Sequence, residues 1–272
     1  HNTKSRTLLS VVNQIDITLL EGLTLTANYS YQQRKQLYRY RNNSFEYSRS
    51  QGVTQTFTSG SIFNNYEEDE SFPVTHMLNY YATFEHSWAK KHNLKVVAGS
   101  QYETYRNVNK DTSMTNLSND NLDSFSAVTP ESVLTVSQDI SAYKTLGFFG
   151  RINYKFNEKY LMTVTLRQDG SSVLAKDHQW GVFPSVALAW RMNEENFLKN
   201  VEQLSNLKLR LSYGISGNSA VSAYQTQGGL GKTMYAYLIN NTENGAYGYY
   251  PALTPNYNLG WEKTATANIG ID

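Results

Sequence analysis

The 272-residue chain carries 24 basic and 23 acidic residues, a formal net charge of +1 and no cysteine. The even balance excludes the basic surplus of a nucleic-acid binder, and the missing thiols exclude disulfides, thiolate zinc centres and thiol catalysis. Mean hydropathy is −0.53, and no apolar run approaches the ~18 residues of a membrane helix; membrane strands escape such averages, because only every second side chain meets lipid.

Alternation of apolar and polar side chains marks strands with one apolar and one polar face. The first candidate runs from about Ser5 to Leu20, with Ile15, Ile17 and Leu19 set against Asp16 and Thr18. Glu21-Gly22 makes a tight turn into a second strand, where Leu23, Leu25, Ala27, Tyr29 and Tyr31 share a face. That strand continues into the basic-aromatic stretch Arg34 to Arg41. A polar loop over 42–73 follows, holding the acidic run Glu67-Glu68-Asp69-Glu70. Strand three, about Met77 to Trp88, and strand four, Leu94 to about Arg106, are joined by a short basic turn. A second long loop spans 107–138. Strand five, Ile140 to Phe156, turns at Asn157-Glu158-Lys159 into strand six, Tyr160 to Arg167. A loop over 169–181 precedes strand seven, in which Val186, Leu188, Trp190 and Met192 alternate with Ser185, Ala187, Ala189 and Arg191. Glu194 to Gln203 predicts a helix capped by Asn193, with two Glu residues suited to its dipole. Strand eight, Leu207 to Ser216, alternates cleanly. A Gly/Tyr/Asn-rich loop over 217–258 leads to strand nine, where Ala265, Ala267, Ile269 and Ile271 share a face.

The connections alternate short and long. Long loops of this kind count against a compact soluble domain and match an all-β, transmembrane antiparallel β-barrel, with short periplasmic turns and long extracellular loops. The turns at Glu21, Lys90, Glu158 and Glu194 are expected on the periplasmic side. Aromatic residues at strand ends fit an interfacial girdle: Tyr154, Phe156, Tyr160 and Trp190, with Tyr29 and Tyr31 as further candidates. The polar opening His1-Asn2-Thr3-Lys4 shows no signal peptide. The chain therefore reads as an interior piece of a longer protein, about nine strands whose sheet must close through others.

Several blocks carry a family likeness. Gly150-Arg151-Ile152-Asn153-Tyr154, Lys159-Tyr160-Leu161 and Arg167-Gln168-Asp169-Gly170-Ser171-Ser172 form the first. Trp180-Gly181-Val182-Phe183-Pro184-Ser185, with Ala189-Trp190-Arg191 and Glu195-Asn196-Phe197, form the second. Leu209 to Gly214 with Gly217-Asn218, then Asn258 to Lys263 with Asn268 to Asp272, complete the set. In this order they resemble the SusC/RagA family of TonB-dependent outer-membrane transporters, across roughly 146–225 and 256–272. The resemblance implies a barrel of about 22 strands filled by a plug, a SusD-like lipoprotein lid, and energy drawn through TonB. Residues 1–272 would then be a partial barrel domain, without plug, TonB box or remaining strands, in the outer membrane of a Gram-negative, Bacteroidetes-type cell.

No catalytic residue, metal ligand or cofactor is expected, and the chain does not read as an enzyme. Asp169-Gly170-Ser171-Ser172 reads as a turn, and the five His residues (1, 76, 86, 92, 178) lack metal spacing. The run 67–70 and Asp120-Asn121-Leu122-Asp123 read as solvated loops rather than calcium sites. Two clusters stand out. Arg151, Lys155, Arg167, Arg191, Lys208 and Arg210 are expected to line the lumen, as salt-bridge partners of a plug or as attractors of an anionic solute. Tyr235, Tyr237, Tyr247, Tyr249 and Tyr250 suit stacking on sugar rings or gripping peptides, and equally suit packing against neighbouring loops or the lid. The function read from all this is import of oligosaccharides or peptides; a passive porin or a barrel-borne adhesin is the alternative. A membrane-embedded hydrolase and a soluble β-sandwich lectin stand further off.

Overall fold

The structure is a computed structural model that describes all residues except 1, 44, 51, 58–64, 118–123, 127, 199–204 and 240–241; for 45–50, 53–57, 234–239 and 242–247 it describes the backbone alone. Among the described residues there are fourteen strands: β1 (Asn2–Leu20), β2 (Leu23–Asn42), β3 (Phe45–Ser50), β4 (Val53–Phe57), β5 (Asn65–Ser71), β6 (Val74–Trp88), β7 (His92–Thr115), β8 (Val133–Phe156), β9 (Tyr160–Ser171), β10 (Trp180–Arg191), β11 (Lys208–Asn218), β12 (Gly229–Ile239), β13 (Thr242–Leu253) and β14 (Glu262–Ile271). The chain divides into two compact units: His1–Val12, Ser30–His76 and Tyr105–Ala142 make one, and Asn13–Tyr29, Met77–Thr104 and Tyr143–Asp272 the other.

In the second unit the strands lie in the order β1-β2-β6-β7-β8-β9-β10-β11-β14. The register sorts the side chains into rows across the sheet. Ile152, Val164, Val186, Tyr213 and Ala267 stand in one row, and Tyr154, Met162, Leu188, Leu211 and Ile269 in another. All belong to one face. That face is uncovered: Val164, Val186, Leu188, Leu211 and Tyr213 are all exposed. So large an apolar surface is untenable in water and fits hydrocarbon. Among the described residues no second layer meets it, so the two-layer sandwich reading is set aside. The alternating rows between these are polar or small: Arg151, Thr165, Ser185, Gly214 and Thr266, then Asn153, Thr163, Ala187, Ser212 and Asn268.

The apolar face is bounded at both ends by aromatic rings. At the short-turn end Tyr160 stacks against Phe156 (6.2 Å) and Trp190 (6.4 Å). At the long-loop end Phe148 stacks on Trp180 at 6.3 Å, and Gly170 lies directly beneath the Trp180 ring, where a Cβ would come within 3.0 Å. Trp180 and Trp190 sit ten positions apart on β10. Ten steps of ~3.3 Å, tilted by ~40°, rise ~25 Å, the height of the apolar band of outer-membrane barrels.

In the first unit β5 pairs antiparallel with both β2 and β7. The acidic run 67–70 therefore lies in a strand, which corrects the loop expected there. Pairing places Glu68 opposite Arg39; the guanidinium Nε donates to its carboxylate at 2.8 Å and the Tyr66 hydroxyl at 2.6 Å. Tyr66, Met114 and Leu117, with Phe125 packed against them, form a small buried core. Only Phe72 and Pro73 separate β5 from β6, and both strands pair with β2 and β7. Proline has no N–H for the ladder; the Pro73 carbonyl still accepts from Arg34 N at 3.0 Å.

Other expected loops are also more ordered than read. β7 and β8 each extend to 24 residues, into the predicted loop 107–138. The predicted loops 42–73 and 217–258 contain the hairpins β3–β4 and β12–β13. Beyond the membrane both faces are wet, so apolar periodicity stops while backbone pairing continues. Asp120-Asn121-Leu122-Asp123 lies outside the described residues. The predicted helix at 194–203 is not present in its described part: a single 3-10 turn covers Met192–Glu194, and turns continue to Leu198. Asn193 does not cap a helix. Its Oδ1 accepts from Leu207 N at 3.4 Å, while Met192 N–H donates to the Leu207 carbonyl at 2.8 Å, tying the segment to the start of β11.

The face assignment is open to direct test. Leu188→Arg is expected to destabilise the full-length barrel in vesicles by about 2–4 kcal/mol, and Ala187→Arg, one position along on the polar face, by far less. Denaturant titration of the two variants compares them.

Candidate solute-facing wall

The polar face of the second unit is the surface that could meet a solute. All six expected basic residues lie on it, on the same side of the sheet as Thr163, Ser185 and Ser212. Most are engaged with neighbours on the same sheet. Arg167 donates from Nε to both oxygens of Asp169 (2.8 and 2.6 Å) and from a terminal nitrogen to Gln101 at 3.1 Å, with its guanidinium 5.8 Å from the Phe149 ring. Gly147 makes room for this pair, since a Cβ there would meet the Asp169 carboxylate. Arg210 and Lys208 both pair with Asp272 (2.5 and 3.2 Å). Lys155 and Arg191 stand 3.9 and 4.0 Å from Glu158. Arg151 donates to Thr165 at 3.3 Å and has no carboxylate partner among the described residues. The wall is therefore hydrogen-bonding and largely charge-compensated.

Clefts interrupt it, and two of them lie at its ends. One, of about 450 Å³, lies near the long-loop end between Glu103, Tyr143, Thr145, Ser171, Asn218 and Trp261. The Tyr143 hydroxyl donates to Glu103 at 3.2 Å across it. The other, of about 540 Å³, lies at the short-turn end and includes Glu85, Asn93, Lys95, Asn153, Lys155 and Glu158. There Ser87 donates to Asn93, and Asn93 to Glu158, at 2.6 and 2.9 Å.

Beside the first cleft, three of the sequence blocks converge. Phe183 is buried on the polar side and meets Trp261 edge-on at 5.1 Å. Gly181 and Gly217 form the slot for its ring; a Cβ would stand 2.5 Å from the ring at Gly181 and 2.2 Å at Gly217. The Trp261 indole N–H donates to the Gln179 carbonyl at 2.8 Å, and Ala175 N–H to Leu259 O at 3.0 Å. The strap these bonds hold is the segment 172–179, within which Val173, Leu174 and Ala175 are buried. The sequence shows the glycines and tryptophan one by one; their convergence needs three-dimensional register. Asp169-Gly170-Ser171-Ser172 closes β9 here, and the Ser171 N–H donates to Gln179 O at 3.1 Å.

Of the five expected tyrosines, the side chains of 235, 237 and 247 lie outside the described residues. Tyr249 and Tyr250, on β13, are exposed, and the Tyr250 ring lies over Gly231 of β12, where a Cβ would approach within 2.4 Å. This hairpin replaces the flexible loop expected there.

At the short-turn end Glu195 collects three donors: the Tyr160 hydroxyl at 2.7 Å, Lys159 Nζ at 3.0 Å and the Trp190 indole N–H at 3.1 Å. These bonds, the tyrosine's foremost, hold its carboxyl at about 2, against an ordinary 4.5. Nothing in the sequence periodicity marks this residue, which locks two girdle rings and a turn together.

A pore-wall sheet with one lipid-facing and one water-facing side defines an outer-membrane β-barrel. The chain belongs to the TonB dependent receptor-like, beta-barrel family, whose profile matches residues 2–272. It is similar to TonB-dependent receptor P39 of Formosa agariphila, 28% identical over 97% of this chain and 24% of that protein. It is also similar to TonB-dependent receptor SusC of Bacteroides thetaiotaomicron, 44% identical over 48% of this chain and 14% of that one. The chain thus spans a quarter or less of the curated relatives it matches. Among solved structures, the RagAB peptide transporter superposes with a TM-score of 0.78 at 23% identity, covering 100% of this chain and 28% of that one. The RagAB peptide importer in its open-open state gives 0.78 at 25%.

Two outcomes are expected here. Gly217→Ala, which drives a methyl into Phe183, should loosen the strap and speed tryptic cleavage after Lys176, with the further change Phe183→Leu restoring protection. Glu195 stabilises while ionised, so its contribution is complete above pH 4.5 and is lost as pH falls toward 2. Guanidinium midpoints should therefore fall across that window in the native protein more steeply than in Glu195→Gln.

Proposed function

We propose that this chain is a section of the wall of an energised outer-membrane importer. The observation carrying this is the two-faced sheet, apolar toward lipid and charge-compensated toward water, in a chain matched end to end by the receptor barrel family. In this reading the rest of the protein supplies the remaining strands, a plug inside the barrel and the segment that engages TonB. A SusD-like lipoprotein covers the outer mouth, where β12–β13 and the 172–179 strap lie.

The solute is an oligosaccharide or a peptide. Hydroxyls, the Asn218 amide, the Glu103 carboxylate and one indole around the 450 Å³ cleft suit a hydrogen-bonding solute without negative charge better than an anion, and the paired state of most basic side chains supports the same preference. RagAB carries the description of a peptide transporter, which keeps peptides in view. The barrel does no chemistry on what it passes.

Deleting the whole gene in its native host, with growth measured on oligosaccharides or on peptides as sole carbon source, identifies the class. Importer function predicts that uptake fails equally when TonB is removed. Uptake that persists without TonB would instead mark a passive porin, and intact uptake with lost surface adhesion would mark an adhesin.

A further inference from the structure

The β6–β7 turn departs from its neighbours in charge. Lys90 and Lys91 are both exposed and make no ion pair among the described residues. Other basic side chains at this end are matched: Lys159 with Glu195 at 3.0 Å, Lys155 and Arg191 with Glu158, Lys95 with Glu85. Ala89 and Lys90 have φ of 51° and 55°, and Lys91 N–H donates to Trp88 O at 3.3 Å. This is a type I′ turn, for which Asn-Gly is the ordinary choice. The β8–β9 turn takes the same conformation at Asn157 and Glu158, with φ of 54° and 56°, so charge sets the β6–β7 turn apart.

The lysines sit at the foot of a ring stack on the lipid-facing side. Trp88 lies parallel to His92 at 5.1 Å, and His86 stacks on Trp88 at 5.8 Å. His92 Nδ1 is 2.7 Å from the Tyr154 hydroxyl. Aromatic rings at this depth mark the headgroup level, and unpaired lysines beside them face the phosphates of the leaflet. We propose that this turn binds the phosphodiester headgroup of an anionic phospholipid, with Lys90 and Lys91 on the phosphate and the Trp88 stack against the upper acyl chain. This rests on the membrane-barrel reading above, and charge complementarity selects the occupant.

The test uses the full-length protein with phosphatidylglycerol or phosphatidylcholine as probe, and counts lipids retained in native mass spectrometry. Phosphatidylglycerol should be retained in preference, with a loss of roughly fivefold for each lysine removed in Lys90→Gln/Lys91→Gln. The variant Ala89→Asn/Lys90→Gly/Lys91→Gln relaxes the turn, so it should fold at least as well as the native protein and show the same loss. Lys176→Gln, which removes a charge from the 3-10 turn Lys176–His178 in the strap at the long-loop end, should retain lipid normally. Equal retention of the two lipids, native retention by the relaxed-turn variant, or displacement by inorganic phosphate would overturn the proposal while leaving the barrel intact. Failure of the native protein to insert into vesicles at all would overturn the barrel reading with it.

Discussion

Hydrocarbon offers the backbone no hydrogen-bond partner, so every N–H and C=O at membrane depth must be paired within the protein. The rest of this structure follows from that constraint. Strands must lie side by side in unbroken antiparallel register, as β8 to β11 and β14 do. Register then stacks like side chains into rows. Rows of Val164, Val186 and Tyr213 face oil, and rows of Thr163, Ala187 and Ser212 face water. The water-facing chemistry is what remains once the lipid-facing rows have been satisfied.

Alternation made the membrane part of the fold legible. Leu207 to Ser216 and Tyr160 to Arg167 read as two-faced strands because one face must be apolar, and their partners follow from the short turns. Legibility ended where that requirement ended. Glu67 to Glu70 looks like a solvated loop, yet pairs on both sides as β5, because a strand in water needs no apolar face. In its described part, the helix expected after Asn193 is absent for a different reason. Local caps and an apolar stripe were outweighed by tertiary bonds, with Leu207 claiming Asn193, and two girdle rings and Lys159 claiming Glu195.

The candidate site was legible by residue type and face, but not by arrangement. The six basic residues do share the polar face. Their charge looks available in the sequence, because Asp169, Glu158 and Asp272 become partners only through turns and register. Phe183 is the clearest case. In sequence it breaks the polar face; in space it fills a slot cut by Gly181 and Gly217 and supports Trp261 beside a cleft. Trp180 and Phe148 form an upper girdle that alternation alone could not distinguish from further wall.

The length of β7 and β8, 24 residues each, has an evolutionary consequence. Only ~10 residues of a tilted strand are needed to cross the bilayer, so more than half of each lies beyond it. In that outer stretch either side of the strand accepts charge without harming insertion. Mutation can therefore change the outer stretch of these strands while the membrane-spanning part keeps its composition.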